Sequence, residues 1–564
     1  MRSRDSRKRR ILLVYPRFAR NNLLNYENMA PFYPGKGAVM PPLGLLLFAA
    51  RLGDGWNVRL IDENLRPLAP ADLAWSEVVA LSGMHPQRRR ITQILDEANR
   101  LGKITVLGGP SVNICPEYYP TADALHVGEM GDATGRLLEW LRAVRTKPAA
   151  QCVFRTRDKT PLDDQPLPRL DVIDVNAYLV QPIQFSVGCP FTCEFCDIPM
   201  IYGRVARIKS PARVACELQA IYDAGFVGTI LFVDDNLVAN RRALRQLLPE
   251  IIAWQKARGY PYPLTGEASI NLARDQEVLR LLHEARFTHL FVGVESPDPA
   301  TLRAISKKQN VMDPLVESLR ALEAHGLEVI MGMIFGFDSD TAASGRSMVE
   351  FIGAVNAPII YFNLLAALPK TPLWDRMSKE GRLLEDEAGD SRQSEGLLSC
   401  LTSNIQFKLG NARVEQMLRD TVRAVYTPAE VYRRFRWNAE HVYGKQLQGL
   451  PPARNGKERI FLLKFTLGTL ARVLWAIGCK APYRRHFWRY LGMLLRLRAQ
   501  GKIAGVLEVL LRTAPNAHHL IEWQRTLLAD SVPREDPFRF GEHGLFAAGR
   551  SGPEQDGSNL RPAS

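Results

Sequence analysis

Three cysteines in the stretch FSVGCPFTCEFC, Cys189, Cys193 and Cys196, stand in a C-x3-C-x2-C spacing. Thiolates this close together are metal ligands, yet three is one fewer than a structural zinc site or a simple electron-carrying [4Fe-4S] cluster takes from its protein. The downstream cysteines, Cys216, Cys400 and Cys479, are isolated in sequence. Three readings fit the count: a cubane whose fourth iron stays open, a zinc knuckle completed by a His or by an Asp such as Asp197, or a spacing without chemistry.

An open iron can chelate the amino and carboxylate groups of S-adenosylmethionine and pass it an electron. With the aromatic Phe195 just before the last cysteine, the stretch resembles the radical SAM superfamily. The elements that must position such a loop read as repeated strand and helix. A helix over 213–225 leads to the strand GTILFVDDN, a helix over 241–259 to TGEASI, and one over 276–286 to HLFVGVES; helices over 315–325 and 345–355 precede LEVIMGMIFGF and IIYFNLLAALP. This predicts an α/β fold with a partial (β/α)6 barrel, whose chemistry lies at the C-terminal ends of its strands.

Those ends carry polar groups that an apolar interior does not need. Asp234, Asp235 and Asn236 close one strand, Glu267 and Ser269 the next, and Glu295 the one after; Gly332 and Gly336 flank the fifth. The resemblance implies that Asp235 contacts the amino group of S-adenosylmethionine, where relatives often have Gly-Gly-Glu. It also implies that Glu267 and Glu295 accept ribose hydroxyls, and that bare backbone at the two glycines lets the adenine lie flat. A strand-end Asp is also a common helix N-cap.

Before the cysteines, ILLVYP, NVRLIDEN, EVVALSG, KITVLGGP and DALHVGE alternate with helices, which predicts a doubly wound, mostly parallel sheet with ligands in the crevice at its strand ends. No G-x-G-x-x-G or P-loop pattern occurs. Taken with the cysteines downstream, MPPLG, LSG, LGGP and VGE resemble a cobalamin-binding domain. That resemblance places Ser82, Gly83, Gly108, Gly109, Gly128 and Glu129 at the cofactor, with glycine letting the corrin or its tail approach the backbone. The D-x-H-x-x-G loop is absent after the first strand, so His85 is the nearby candidate for a lower axial cobalt ligand.

Of 564 residues 46% are hydrophobic, and eight irregularly spaced cysteines suggest no disulfide framework, so a thiolate cluster implies a reducing, cytoplasmic setting. The N-terminus has charge without an apolar signal core, and no uninterrupted run of about 18 apolar residues predicts a span. The net charge of +14 is concentrated: residues 1–10 hold six Lys/Arg against one Asp, and residues 457–512 hold twelve against two Glu. The near-neutral remainder argues against nucleic-acid binding. In the basic block, Arg485, Arg489 and Arg496 share a helical stripe opposite Phe487, Leu491 and Leu494, the pattern of a surface helix or of peripheral contact with an anionic membrane.

The expected organisation is a basic tail (1–10), a cobalamin-binding domain (11–145), a linker (146–175), a radical SAM domain (176–385), a helical extension (386–530) and a disordered tail (531–564). As a whole it resembles the cobalamin-dependent radical SAM methyltransferases, and within them the hopanoid-methylating branch, on GCPFTCEFCDI, YGRVARIKSP, LFVDDN, TGEASINLA, GVESPDP and LLAALPKTPLW. The resemblance implies a [4Fe-4S] cluster, S-adenosylmethionine and cobalamin as cofactors, a flavodoxin or ferredoxin as electron donor, and a lipid-soluble small-molecule substrate. It implies hydrogen abstraction by a 5′-deoxyadenosyl radical and methyl delivery from methylcobalamin. An oxidoreductase or cyclase with the same cofactors and no net methyl transfer is the alternative.

Overall fold

The computed structural model describes residues 8–18, 28–384, 403–447, 449 and 453–529; the expected tail 531–564, Cys400 and most of the tail 1–10 lie outside them. The first unit runs β1 (Arg9–Tyr15), α1 (Leu43–Leu52), β2 (Trp56–Asp62), α2 (Pro70–Trp75), β3 (Val78–Ser82), α3 (Arg88–Arg100), β4 (Ile104–Gly108), α4 (Pro110–Ile114), β5 (Ala124–Val127), α5 (Asp132–Ala143) and β6 (Cys152–Arg155). Its sheet is parallel, in the order β2-β1-β3-β4-β5-β6.

The unbroken apolar runs of the inner strands follow from burial on both faces. Leu12, Val14, Val79, Leu81 and Leu107 pack on α2, α3 and α4, while Ile11, Leu13, Val78, Ala80 and Val106 pack on α1 and α5. Strand order reverses direction between β1 and β3, so the crevice lies beyond their C-terminal ends. One expectation is corrected here. Residues 146–175 are no bare linker, because β6 lies within them and completes the sheet. As an edge strand only half covered, it carries a weak apolar pattern.

The second unit begins with β7 (Val180–Ile183), followed by a two-stranded antiparallel clip of β8 (Ser186–Val187) and β9 (Arg207–Ile208), with α6 (Ile198–Ile201) in the loop between them. Then come α7 (Pro211–Asp223), β10 (Thr229–Phe232), α8 (Arg241–Ala257), β11 (Leu264–Glu267), α9 (Gln276–Glu284), β12 (Phe287–Glu295), α10 (Pro299–Ala304), α11 (Leu315–Ala324), β13 (Glu328–Phe335), α12 (Ser344–Val355), β14 (Ile359–Leu364) and α13 (Pro372–Lys379). The order β14-β13-β12-β11-β10-β7 is sequential and parallel, and β7 does not pair with β14, which leaves a partial barrel. Helix starts are set by local chemistry: Ser210 Oγ accepts from Arg213 N ahead of Pro211, and Asp275 accepts from Val278 N.

Among the described residues five helices follow: α14 (Asn411–Val425), α15 (Pro428–His441), α16 (Gly456–Val473), α17 (Arg484–Ala499) and α18 (Val506–Leu528). They share one continuous hydrophobic core with the barrel. They also close its N-terminal end. Gln446 Nε2 donates to Thr288 O and Gly326 O at 2.7 and 2.9 Å, Tyr426 Oη donates to Ile360 O, and Arg512 pairs with Glu328 at 3.8 Å, all at the starts of β12, β13 and β14. The opposite, C-terminal ends are left for a site.

One helix among the described residues approaches the length of a membrane span. α16 and its π-helical continuation make a 25-residue segment, Gly456–Lys480, apolar and long enough to cross a membrane by length and composition. Lys464 and Arg472 interrupt the apolar run, which hides the segment from a search for unbroken stretches.

Adjacent leucines on α17 test the packing. Leu494 is fully enclosed and Leu495 is 55% exposed. We expect Leu494→Ala to lower unfolding free energy by about 2–5 kcal/mol and Leu495→Ala to change it by less than about 0.5 kcal/mol, as read by chemical denaturation.

Candidate active site

The clip of β8 and β9 closes a loop, residues 188–206, that carries all three clustered cysteines. Gly188 opens it at φ +100°, where a Cβ would stand 2.9 Å from Gly203 O and 3.1 Å from Val205 O, so no other residue fits. Cys189 N donates to Gly203 O and Cys196 N to Cys193 O. The loop is tied outward as well. Glu194 N donates to Ile305 O beyond α10, Leu373 N of α13 donates to Glu194 O, and Arg376 grips the Glu194 carboxylate at 2.6 and 3.1 Å.

Burial pushes the Cys189 thiol up, and pushes Cys196 up further, with Asp197 and the other cysteines adding to the effect. Such thiols ionise only beside a strongly electropositive centre. Gln309 Nε2 points at Cys193 Sγ at 3.6 Å.

The strand-end acids gather around this loop in distinct roles. Asp234 is buried and accepts from Phe185 N and Ser186 N, and Asp235 accepts from Gly188 N at 2.6 Å, so both hold the backbone that leads into the cysteines. Asn236 is linked to Ser269 at 3.1 Å. Glu267 is reachable by solvent, although protein surrounds it, and it makes no side-chain hydrogen bond among the described residues. Burial first, and the acids' mutual repulsion second, raise Asp234 to about 7, Asp235 to about 6 and Glu267 to about 7. Ionising them therefore works against folding as pH rises from the ordinary carboxylate value through about 7. A cation among them would offset this.

Glu295 differs. It has φ +67°, at the point where β12 shifts register against β13, and its carboxylate pairs with Lys307 at 2.5 Å, both side chains being buried. Burial opposes the Lys307 charge, but Glu295, Cys193 and Cys196 outweigh it and hold the amine protonated. Its Nζ also lies 5.8 Å from the Phe195 ring centroid. Lys307, Gln309 and the Glu194–Arg376 pair were not foreseen; Glu194 sits inside the motif, but Lys307, Gln309 and Arg376 lie far from the cysteines in sequence, with no periodic signal.

On the first sheet, the glycine turns are explained partly by their own packing. A Cβ on Gly109 (φ +97°) would meet Ser82 Oγ and would lie 3.2 Å from Gly83 N, and one on Gly83 would stand 2.9 Å from Ile91 Cδ1. Gly108 has ordinary room, and Gly128 N donates to Asn113 Oδ1 at 2.7 Å. Glu129, expected at the corrin, is engaged by Arg207 at 2.6 Å and Lys159 at 2.7 Å. His85 is buried beside Tyr118; burial lowers its pKa to about 4 and holds the ring neutral, and neither nitrogen has a hydrogen-bond partner among the described residues.

The two strand-end faces look at each other. Glu129 reaches Arg207 of the clip, α4 packs on α6 of the cysteine loop, and Lys370 Nζ donates to Ile114 O. One mouth is formed, with cysteines and acids on one wall and glycine turns on the other.

Comparison with known proteins decides what this mouth serves. The profile of the Radical SAM superfamily matches residues 183–352, and that of a domain of unknown function (DUF4070) matches residues 371–531. The chain is 40% identical to the hopanoid C-2 methylase of Rhodopseudomonas palustris over 517 residues, 92% of this chain and 94% of that enzyme. The chain belongs to the cobalamin-dependent radical SAM methyltransferases. This methyltransferase is also 33% identical to an uncharacterized methyltransferase of Synechocystis over 86% of this chain and 88% of the other. Its fold resembles that of TsrM, a radical S-adenosylmethionine methyltransferase from Kitasatospora setae, at TM-score 0.57 and 17% identity, covering 87% of this chain and 99% of that one. Anaerobic cyclases of magnesium-protoporphyrin monomethyl ester align at lower identity and over less of the chain.

Membership brings a [4Fe-4S] cluster, S-adenosylmethionine and cobalamin as cofactors. The methyltransferase's mouth fits them: its buried thiols call for an electropositive centre, its crowded acids for a cationic ligand, and the neutral, partnerless His85 lies at the crevice of the first sheet.

Gly188 offers the sharpest test of the loop. We expect Gly188→Ala to lose iron and visible absorbance after anaerobic reconstitution. Gly203→Ala, also at positive φ but with nothing within 4 Å of its Cβ, should retain both at a stability cost of about 1–2 kcal/mol.

Proposed function

We propose that this enzyme adds a methyl group to an unactivated carbon of a hydrophobic, hopanoid-like lipid. The carrying observation is its identity to a hopanoid C-2 methylase along nearly the full length of both chains. When bound, the cofactors supply a carbon-centred radical and a transferable methyl group, chemistry that no side chain provides.

The chain's own part is to hold and to exclude. Cys189, Cys193 and Cys196 are the cluster's protein ligands, leaving one iron open. Gln309 points its amide at the Cys193 sulfur, and the buried Lys307 ammonium counters the charge that builds up on the thiolates. Asp235 would face the amino group of S-adenosylmethionine, and Glu267 and Glu295, the latter oriented by Lys307, would accept from its ribose hydroxyls, with Phe195 beside them. Asp234 positions the loop. Ser82, Gly83, Gly108, Gly109 and Gly128 form the cobalamin wall with His85 near the cobalt, while Glu129 ties that wall to the clip.

A small flavodoxin or ferredoxin serves as electron donor. A reducing compartment suits the thiolates, so the enzyme works in the cytoplasm, with peripheral membrane contact through residues 457–512. Because identity favours a methylase along the whole chain, we set the cyclase reading second.

The test is anaerobic incubation of the reconstituted enzyme with methyl-labelled S-adenosylmethionine and a cell lipid extract. Mass spectrometry should show a lipid heavier by one labelled methylene unit. A product without the label would favour the cyclase chemistry instead. Replacing Cys189, Cys193 or Cys196 by Ala should abolish both cluster absorbance and product, whereas Cys115, Cys152, Cys216, Cys400 and Cys479 should be replaceable without loss of the cluster.

A further inference from the structure

The helix that begins at Gly456 is amphipathic the wrong way round for a soluble protein. Ile460, Leu463, Leu467 and Trp475 are 56%, 58%, 55% and 54% exposed, and with exposed Ala471 they follow at intervals of three or four residues, a single stripe on one helical face. A surface helix ordinarily turns such a stripe inward.

This helix has an inner face as well. Phe465 stacks on Tyr33 with ring centroids 6.1 Å apart, Gly468 lies against Pro34, and Thr469, Val473, Ala476 and Ile477 are buried. The C-terminal half of the segment is thus held against its own protein. α17 extends the apolar surface with Trp488 and Leu495, and Trp488 Nε1 donates to Gly478 O at 2.9 Å, which ties its ring to the end of the same segment. α17 itself turns Phe487 and Leu494 inward, so the apolar side expected from sequence for membrane contact is core.

The charge around the stripe has one sign. Residues 456–500 hold ten Lys/Arg against a single acid, Glu458, which Arg454 already pairs at 2.8 Å. Lys457, Arg459, Lys464, Arg485, Arg489 and Arg496 are exposed. Two copies of so basic a face repel each other, whereas an anionic leaflet attracts it. Aromatic and aliphatic groups between cations are what the headgroup layer accommodates, tryptophan above all.

We propose that the stripe Ile460–Leu463–Leu467–Trp475, with Trp488 beside it, is a monotopic docking surface that lies in the plane of an anionic bilayer, its apolar side chains in the headgroup–acyl boundary and its cations on phosphate. The proposal rests on the peripheral contact inferred above and assigns it to the apolar stripe rather than to charge alone.

Vesicle flotation of the full-length holoenzyme separates the two. We expect binding to phosphatidylcholine vesicles containing phosphatidylglycerol at low salt, less binding at high salt, and a blue shift of tryptophan emission on binding. Leu463→Glu with Leu467→Glu, both exposed, should weaken partitioning at least about tenfold while leaving the thermal midpoint and cluster content unchanged. If that double variant floats like the wild type while R485E/R489E/R496E does not, contact is purely electrostatic and the stripe assignment is overturned. If the wild type fails to float, both the stripe and the peripheral contact fall, although labelled-lipid turnover still tests the methyl transfer. A concentration-dependent dimer that the double variant abolishes, without flotation, would assign the stripe to self-association and overturn the proposal.

Discussion

A loop whose cysteine-bearing part, 189–196, has no helix or strand must hold three thiols still, and its own few hydrogen bonds cannot do it. What does is a set of backbone N–H groups received by carboxylates from the neighbouring strand end: Phe185 and Ser186 on Asp234, Gly188 on Asp235. The β8–β9 clip closes the loop at its base, and Glu194 fastens its far side to α13 through Arg376. The site therefore depends on acids that burial raises above the usual carboxylate range, and a positively charged ligand would draw them back toward the ionised state. Loop order and ligand charge are coupled through the same side chains.

Much of this was legible in the chain. The inner strands of the first sheet were readable because both faces are covered, and the barrel strands because apolar runs alternate regularly with helices, three of them ending in polar residues that the interior does not need. β6 was missed because an edge strand is half wet, so CVFR carries little pattern. The cysteines were readable because all their spacing is local. The ion pair of Glu129 had no sequence signal because its partner, Arg207, lies 78 residues away, and Lys307 was missed because nothing marks it until the chain brings it to Glu295. Periodicity showed that the basic helices are amphipathic. It could not say which helix would turn its apolar side out, since that depends on which face the neighbouring elements leave uncovered.

The glycines carry a similar lesson. Gly109 was read as room for a cofactor, yet the first atoms it makes room for are Ser82 Oγ and the backbone of Gly83. Neighbouring strand ends are drawn together there, which shapes the crevice wall before any ligand touches it. Close backbone approach is one requirement whether the approaching group is protein or corrin, and sequence alone does not distinguish them.

The five C-terminal helices plug the barrel at the end remote from the cysteines, and they share its core. A surface on those helices is tied through the shared core to the cofactor mouth, across barrel strands on the order of 15–30 Å long. An enzyme resting on a bilayer by that surface would hold its mouth upright, away from the lipid. A polycyclic substrate would then have to be lifted clear of the leaflet, so extraction and its reversal become steps of the catalytic cycle, and turnover becomes sensitive to how loosely the membrane holds the lipid as well as to the radical chemistry.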